Sequence, residues 1–202
     1  MRQLKLALFD IGGVIVDVSN TAYFNYLSAI SGIPPAEVER RLTIDAAPLE
    51  RGHISLKSFT KVFAEDLGID ENDVKWGEYF KKIAKLDEGT VEIIKELSKN
   101  YHIAYLSNVD KVRYDYVTNH VMKGILHYFD YEFASFKMRC IKPSPLIYKK
   151  VIAKMKLRPE DIIFIDNDYH NVQAAKGLGI TSILFTRAAL LRKELKQFGM
   201  KI

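Results

Sequence analysis

Apolar residues in this chain gather in short unbroken runs, separated by segments where they recur every three or four positions. Near-continuous runs bounded by polar or turn residues fit strands buried on both faces of a parallel sheet. Five stand out: Leu4 to Phe9, His102 to Leu106, Tyr131 to Ala134, Ile162 to Ile165 and Ser182 to Phe185. Helix-period segments separate the last four, from Asp110 to about His120, Pro145 to Met155, and Asn171 to Lys176, with Gly177 and Gly179 placed to close the last. Alternating strands and helices predict an α/β fold with a doubly wound parallel sheet.

The first crossover does not fit that simple pattern. Ser19 to about Asp87 is far longer than a strand-helix-strand link requires, and it holds helix-like stretches with no convincing strand. Thr21 to Ile30, Pro35 to Thr43, Leu56 to Asp66 and Glu71 to Ala84 predict a small inserted helical bundle. Ser31-Gly32 would end the first helix and Ser55 would cap the third. Lys85 to Leu97 then returns the chain to the sheet as another helix. The expected division is residues 1–17 plus 88–202 as an α/β core and residues 18–87 as a helical cap.

Composition narrows the class without naming a function. With 202 residues, 48% of them hydrophobic and 27% charged, the chain can bury a core and is not disordered. Its net charge of +5 suits an anionic ligand or an ordinary lysine-rich surface equally well. A lone cysteine, Cys140, cannot form an intramolecular disulfide, and the five histidines show no zinc spacing. Leu4 to Phe9 contains Lys5 and ends at Asp10, too short and too polar for a signal peptide or membrane span, so a cytoplasmic protein with no membrane partner is expected. The basic stretch from Arg187 to Lys201 reads as the solvated face of an amphipathic helix, so nucleic acid is not an expected partner. Oligomeric state is open.

Ligands of open parallel sheets bind beyond the carboxyl ends of the strands. Four polar sets fall there: Asp10-Ile11-Gly12-Gly13, Ser107-Asn108, Lys142-Pro143 and Asp166-Asn167-Asp168. A carboxylate such as Asp10 can attack a phosphoryl group if its charge and that of the substrate are neutralised. Lys142 and Mg2+ would do so; magnesium prefers hard oxygen ligands, which two carboxylates and a backbone carbonyl supply. Ser107 and Asn108 would donate to the phosphoryl oxygens, and Gly12 and Gly13 let the backbone approach them closely. Asp168 is expected to cap the following helix, Cys140 to fill a small apolar gap, and Tyr169 and His170 to pack or bond at the surface.

In their order, "LALFDIGGVIVD", "IAYLSN", "IKPSPLIYKKV" and "IIFIDNDYHNVQAAKGLGI" resemble the four motifs of the haloacid dehalogenase (HAD) superfamily, and the resemblance runs essentially from end to end. The helical insertion, with "ERGHISLKSF" from Glu50 to Phe59, resembles the cap found between the first two motifs. The resemblance implies a Rossmann-like core and a hydrolase, specifically a magnesium-dependent phosphatase of a small phosphomonoester, such as a sugar phosphate, working through an aspartyl-phosphate. It assigns Asp10 as nucleophile and metal ligand, Gly12 as a ligand through its carbonyl, Asp166 as the acidic ligand, Ser107 and Asn108 to the phosphate, and Lys142 to charge stabilisation and the substrate.

The match has one chemical gap. The phosphatase pattern is Asp-x-Asp, whose second aspartate carries the proton; Gly12 keeps the carbonyl and loses the carrier. The second acidic position of the fourth motif is likewise Asn167, whereas Asn171 matches the family pattern. Asp17, Asp45, Glu50 or His53 are the candidates for rescue. Two other readings stand beside the phosphatase: a 2-haloacid dehalogenase in which Asp10 attacks carbon, and a low-activity scaffold that binds or regulates, to which Gly12 and Asn167 lend support.

Overall fold

Every residue of Leu6–Phe9 is buried, as a strand covered on both faces must be. The computed structural model describes residues 4–202, so the first three residues of the expected core lie outside the described residues. From β1 (Leu6–Phe9) the chain passes through a short β2 (Val16–Asp17) into α1 (Thr21–Ser31), α2 (Pro35–Glu50), α3 (Leu56–Leu67) and α4 (Trp76–Ile83). It returns through β3 (Lys85–Leu86) and α5 (Glu88–Leu97) to β4 (His102–Ser107), α6 (Lys111–Tyr116) and β5 (Tyr131–Ala134). There follow α7 (Ser135–Met138), α8 (Pro145–Met155), β6 (Ile162–Asp166), α9 (Tyr169–Lys176), β7 (Thr181–Leu184) and α10 (Ala188–Gln197).

Five strands form one parallel sheet in the order β5-β4-β1-β6-β7. Succession runs outward from β1 through β4 to β5, then restarts on the other side with β6 and β7. The strand order therefore reverses between β1 and β6, where a doubly wound sheet opens its ligand crevice. Side-chain alternation divides the core into two layers. Leu6, Leu8, Leu106 and Phe164 pack with Ile147, Tyr148 and Val151 of α8. Ala7, Phe9, Tyr105 and Ile165 pack with Ile94 and Leu97 of α5 and Leu191 and Leu195 of α10. The fold is the Rossmann-like α/β sheet with an inserted helical cap that the motif order implied.

The inserted helices have a core of their own, in which Tyr23, Leu27, Val38, Leu42, Phe59, Phe63 and Trp76 are buried together. Burying one such side chain stabilises by roughly 1.5–3 kcal/mol. Helix α1 ends as expected at Gly32, whose φ of 73° suits glycine, and Ser55 caps α3 by accepting from Ser58 N at 3.1 Å.

Several local expectations are corrected. Helix α2 does not stop near Thr43 but runs to Glu50, because Ala46 and Leu49 continue its buried stripe, even with Pro48 inside it. Glu71 to Ala84 is not one helix: a 3-10 turn at Glu71–Asp73 and the left-handed Lys75, φ 45°, interrupt it before Trp76. Residues 85–86 are strand rather than helix and pair antiparallel with β2 at the junction of core and insertion. The helix expected to reach His120 is regular only to Tyr116 and continues as a π turn over Val117–Val121. Among the described residues no helix is long and apolar enough to cross a membrane.

Candidate active site

Strand register brings the two motif aspartates together. Phe9 pairs with Ile165, and Asp10 N donates to Ile165 O at 2.8 Å, so Asp10 and Asp166 leave adjacent strands at the switch point. Between them stands Lys142, with Nζ 2.7 Å from Asp10 Oδ1 and 2.7 Å from Asp166 Oδ2. All three are buried, Asp166 completely.

Backbone and amide donors fix the carboxylates. Asp10 Oδ1 also accepts from Ile11 N at 2.7 Å. Asp166 Oδ1 accepts from Asp168 N at 2.7 Å, and the Asn171 amide donates to both Asp166 oxygens at 3.2 and 3.1 Å. Asp10 Oδ2 is different: it takes no hydrogen bond among the described residues, and Asp10 lines a cavity of about 320 Å³. Two carboxylates against one ammonium leave this buried group one negative charge in excess. Burial, only partly offset by Lys142 and reinforced by the Asp166 charge, pushes the Asp10 carboxyl up to about 6. Lys142 moves up as well: burial would lower it, but the two carboxylates outweigh burial.

The same cavity is lined by Gly12, Gly13, Ser107, Asn108, Asn167 and Asp168 among others. Asn108 positions the lysine: Lys142 N donates to its Oδ1 at 2.8 Å and its Nδ2 donates back to Lys142 O at 2.9 Å. That reciprocal pair ties the end of β4 to the lysine loop and leaves one amide N–H for a ligand. Gly13 has φ 76°, and a Cβ there would overlap the Asn167 amide, so glycine is required by conformation and by space. Asp168 caps α9 as expected, its Oδ1 accepting from His170 N at 2.6 Å and Asn171 N at 3.2 Å.

Among the described residues no three His, Cys, Asp or Glu side chains cluster closely enough to hold a metal. Two carboxylates and a carbonyl form a smaller donor set, and this one fits magnesium on chemical grounds. All its donors are hard oxygens, the surplus charge is negative, and Asp10 and Gly12 both line the cavity.

A second cavity adjoins the first, sharing Gly12, Val18, Asn20, Ser107 and Asn108 and adding Ile11, Phe80, Val109, Arg113, Tyr114 and Val117. The four rescue candidates, Asp17, Asp45, Glu50 and His53, are in the lining of neither cavity. Glu50 instead accepts from Arg113 Nη2 at 2.6 Å. Sequence reasoning passed over Arg113 and Asn20. The i,i+3 pairing of Asp110 with Arg113 was visible at the start of a helix, whereas the contact with Glu50 spans 63 positions.

Comparison with known proteins places the chain in a family. The profile of the haloacid dehalogenase-like hydrolases matches residues 4–179. A D-ribitol-5-phosphate phosphatase of Bacteroides thetaiotaomicron is 26% identical over 205 residues, covering 95% of this chain and 97% of that protein. A flavin mononucleotide hydrolase of Arabidopsis thaliana is 25% identical, covering 100% of this chain and 80% of its own. Among solved structures, a HAD-like hydrolase from Porphyromonas gingivalis superposes with a TM-score of 0.81 at 21% identity over the whole of both chains. A HAD family enzyme from Bacteroides thetaiotaomicron, in complex with magnesium and inorganic phosphate, superposes with a TM-score of 0.75 at 21% identity, covering 91% of this chain and 95% of that one.

Proposed function

The chain belongs to the haloacid dehalogenase-like hydrolases, and on that premise we propose that it is a magnesium-dependent phosphatase of a small phosphomonoester. The observation that carries the reading is Lys142, whose Nζ lies 2.7 Å from both Asp10 and Asp166 at the switch point of the sheet. The phosphatase relative and the neighbour in complex with magnesium and inorganic phosphate support it. The division into a core of residues 1–17 and 88–202 and a cap of residues 18–87 is part of this proposal.

Asp10, Gly12 through its carbonyl, and Asp166 would hold the Mg2+, which when bound supplies positive charge to the phosphoryl oxygens. Asp10 Oδ2, the oxygen without a partner, attacks phosphorus. The bond to the leaving oxygen breaks as the acyl-phosphate forms on Asp10. Lys142 holds Asp10 Oδ1, fixing the direction of the other oxygen, and balances the charge that develops. Ser107 and the spare Asn108 N–H donate to the phosphoryl oxygens. With Gly12 in the place of a proton carrier, the leaving oxygen takes its proton from cavity water; the hydroxide so formed attacks phosphorus, the bond to Asp10 Oδ2 breaks, and phosphate leaves with the Asp10 carboxylate restored. A positioned acid or base is typically worth about 10² to 10⁴ in rate, so esters with good leaving groups suffer least.

Phosphate release from a panel of phosphomonoesters tests the reading, with Mg2+ or with chelator, for the wild type and Asp10→Asn. Release that needs both the metal and Asp10 is expected; release that survives either change would overturn it. Chloride release from 2-chloropropionate in chelator would favour the dehalogenase instead.

A further inference from the structure

A phosphoryl group at Asp10 must direct its leaving group somewhere, and the second cavity is the adjoining space. The two share Gly12, Val18, Asn20, Ser107 and Asn108, and the second measures about 80 Å³. One water needs roughly 10–15 Å³ of such space, so this cavity suits a short leaving group. Ile11, Phe80, Val109 and Val117 make its walls apolar, and among the described residues Arg113 is the one charged group in its lining.

Arg113 is held on three sides. Its Nε donates to Asp110, its Nη2 donates to Glu50 at 2.6 Å, and its guanidinium carbon lies 4.4 Å from the centre of the Trp76 ring. Nη1 takes no partner among the described residues, so a rigid, largely buried cation keeps donors free for whatever enters. The guanidinium already faces two carboxylates, which gives the trio one net negative charge. A third anion would be repelled, whereas a neutral oxygen acceptor would satisfy the donors without adding charge. Asn20, at the join of the two cavities, does not spend its side chain on capping α1, and its amide is available to take the hydrogen of a hydroxyl.

We propose that Arg113, with Asn20, is the leaving-group selector of this site, and that the preferred substrates are phosphomonoesters of short, uncharged polyols whose hydroxyl oxygen accepts from Arg113 Nη1. The proposal rests on the phosphatase reading for the position of the phosphate, and adds which alcohol is taken and by which residue.

Binding separates the two. Asp10→Asn protein, blocked in turnover, is titrated by calorimetry in Mg2+ with inorganic phosphate, glycerol 3-phosphate, propyl phosphate and 3-phosphoglycerate. A hydrogen bond from a charged donor corresponds to about a tenfold to hundredfold preference, expected for glycerol 3-phosphate over both propyl phosphate and 3-phosphoglycerate. Adding Arg113→Gln should remove the preference over propyl phosphate while leaving inorganic phosphate affinity within about twofold. Equal affinity for the glycerol and propyl esters with Arg113 intact overturns the proposal, even if the double variant fails to fold; so does a preference that survives Arg113→Gln. Failure of the wild type to release phosphate from any ester would instead overturn the phosphatase reading, and the binding ratios would still decide the role of Arg113.

Discussion

Arg113 of α6 donates to Glu50 at the last residue of α2, 2.6 Å away, and this contact fastens the inserted helices to the sheet. Neighbouring contacts reinforce it. Ser135 Oγ donates to Glu50 O at 2.7 Å, Arg139 donates to Gly52 O, and Trp76 Nε1 donates to Asp110 at 3.1 Å. Around one guanidinium, the inserted helices thus meet the sheet through several separate polar contacts.

Asp110 should tie stability to acid pH. Burial would raise its carboxyl, but the Arg113 charge and hydrogen bonds outweigh burial and hold it below its ordinary 3.8. A carboxyl lowered in the folded state stabilises above its unfolded value, and the contribution is lost as pH falls through the folded value. Asp110→Asn removes one partner of a buried pair and is expected to cost about 3 kcal/mol at pH 7. In denaturant titrations the gap between wild type and variant should hold from neutral pH to about 4 and close below that. A gap that stays constant down to about pH 2 would defeat the assignment.

Glu50→Gln keeps shape and a hydrogen-bond acceptor while removing one charge. Both side chains of this pair retain some exposure, 15% for Arg113 and 17% for Glu50, so solvent screening limits the loss to about 1–2 kcal/mol. The effect should be local: amide exchange at residues 49–52 should quicken, with the sheet unchanged. Uniform exchange across both units would show that Glu50 is not the fastening point.

Lys142→Met should reveal what the lysine compensates. Without it, Asp10 and Asp166 face each other in a buried site with no cation, and the metal-free variant should lose about 3–5 kcal/mol. A bound cation would replace part of that charge, so Mg2+ should raise the melting temperature of the variant more than that of the wild type. An equal shift in both proteins would count against a magnesium site between these carboxylates.

What could be read in advance follows the range of the interactions. Asp10 and Asp166 were legible because each ends a local apolar run that is buried on both faces. Their alignment at 2.8 Å from Asp10 N to Ile165 O then follows from parallel pairing of those runs. The two-residue strands Val16–Asp17 and Lys85–Leu86 were not legible, since two residues carry no period. The break at Lys75 rests on a left-handed backbone at a residue with no preference for it, held there by the packing of Trp76. Arg113 was hidden for the same reason that it is informative. Its partners Trp76 and Glu50 meet it only once the cap has folded over the sheet, and no local pattern records that meeting.

Adjacent glycines at the mouth of the site should answer substitution in opposite ways. A Cβ at Gly12 would meet Val18 Cγ2 at 3.3 Å, a contact that a shift of a few tenths of an ångström relieves, and Gly12 does not have a positive φ. Gly12→Asp should therefore fold. On the phosphatase reading it places a carboxylate where the family pattern has its proton carrier, and turnover of esters with poor leaving groups should rise, by up to about 10² to 10⁴. Gly13 has φ 76° and the Asn167 amide against its Cα, so Gly13→Ala carries backbone strain of about 1–3 kcal/mol and pushes Asn167 aside. Its melting temperature and phosphate release should both fall. Melting curves and phosphate release measured in parallel decide both cases: a Gly13→Ala protein as stable and active as the wild type would contradict the close approach to Asn167. A well-folded Gly12→Asp protein with unchanged turnover would mean that position 12 does not face the leaving oxygen.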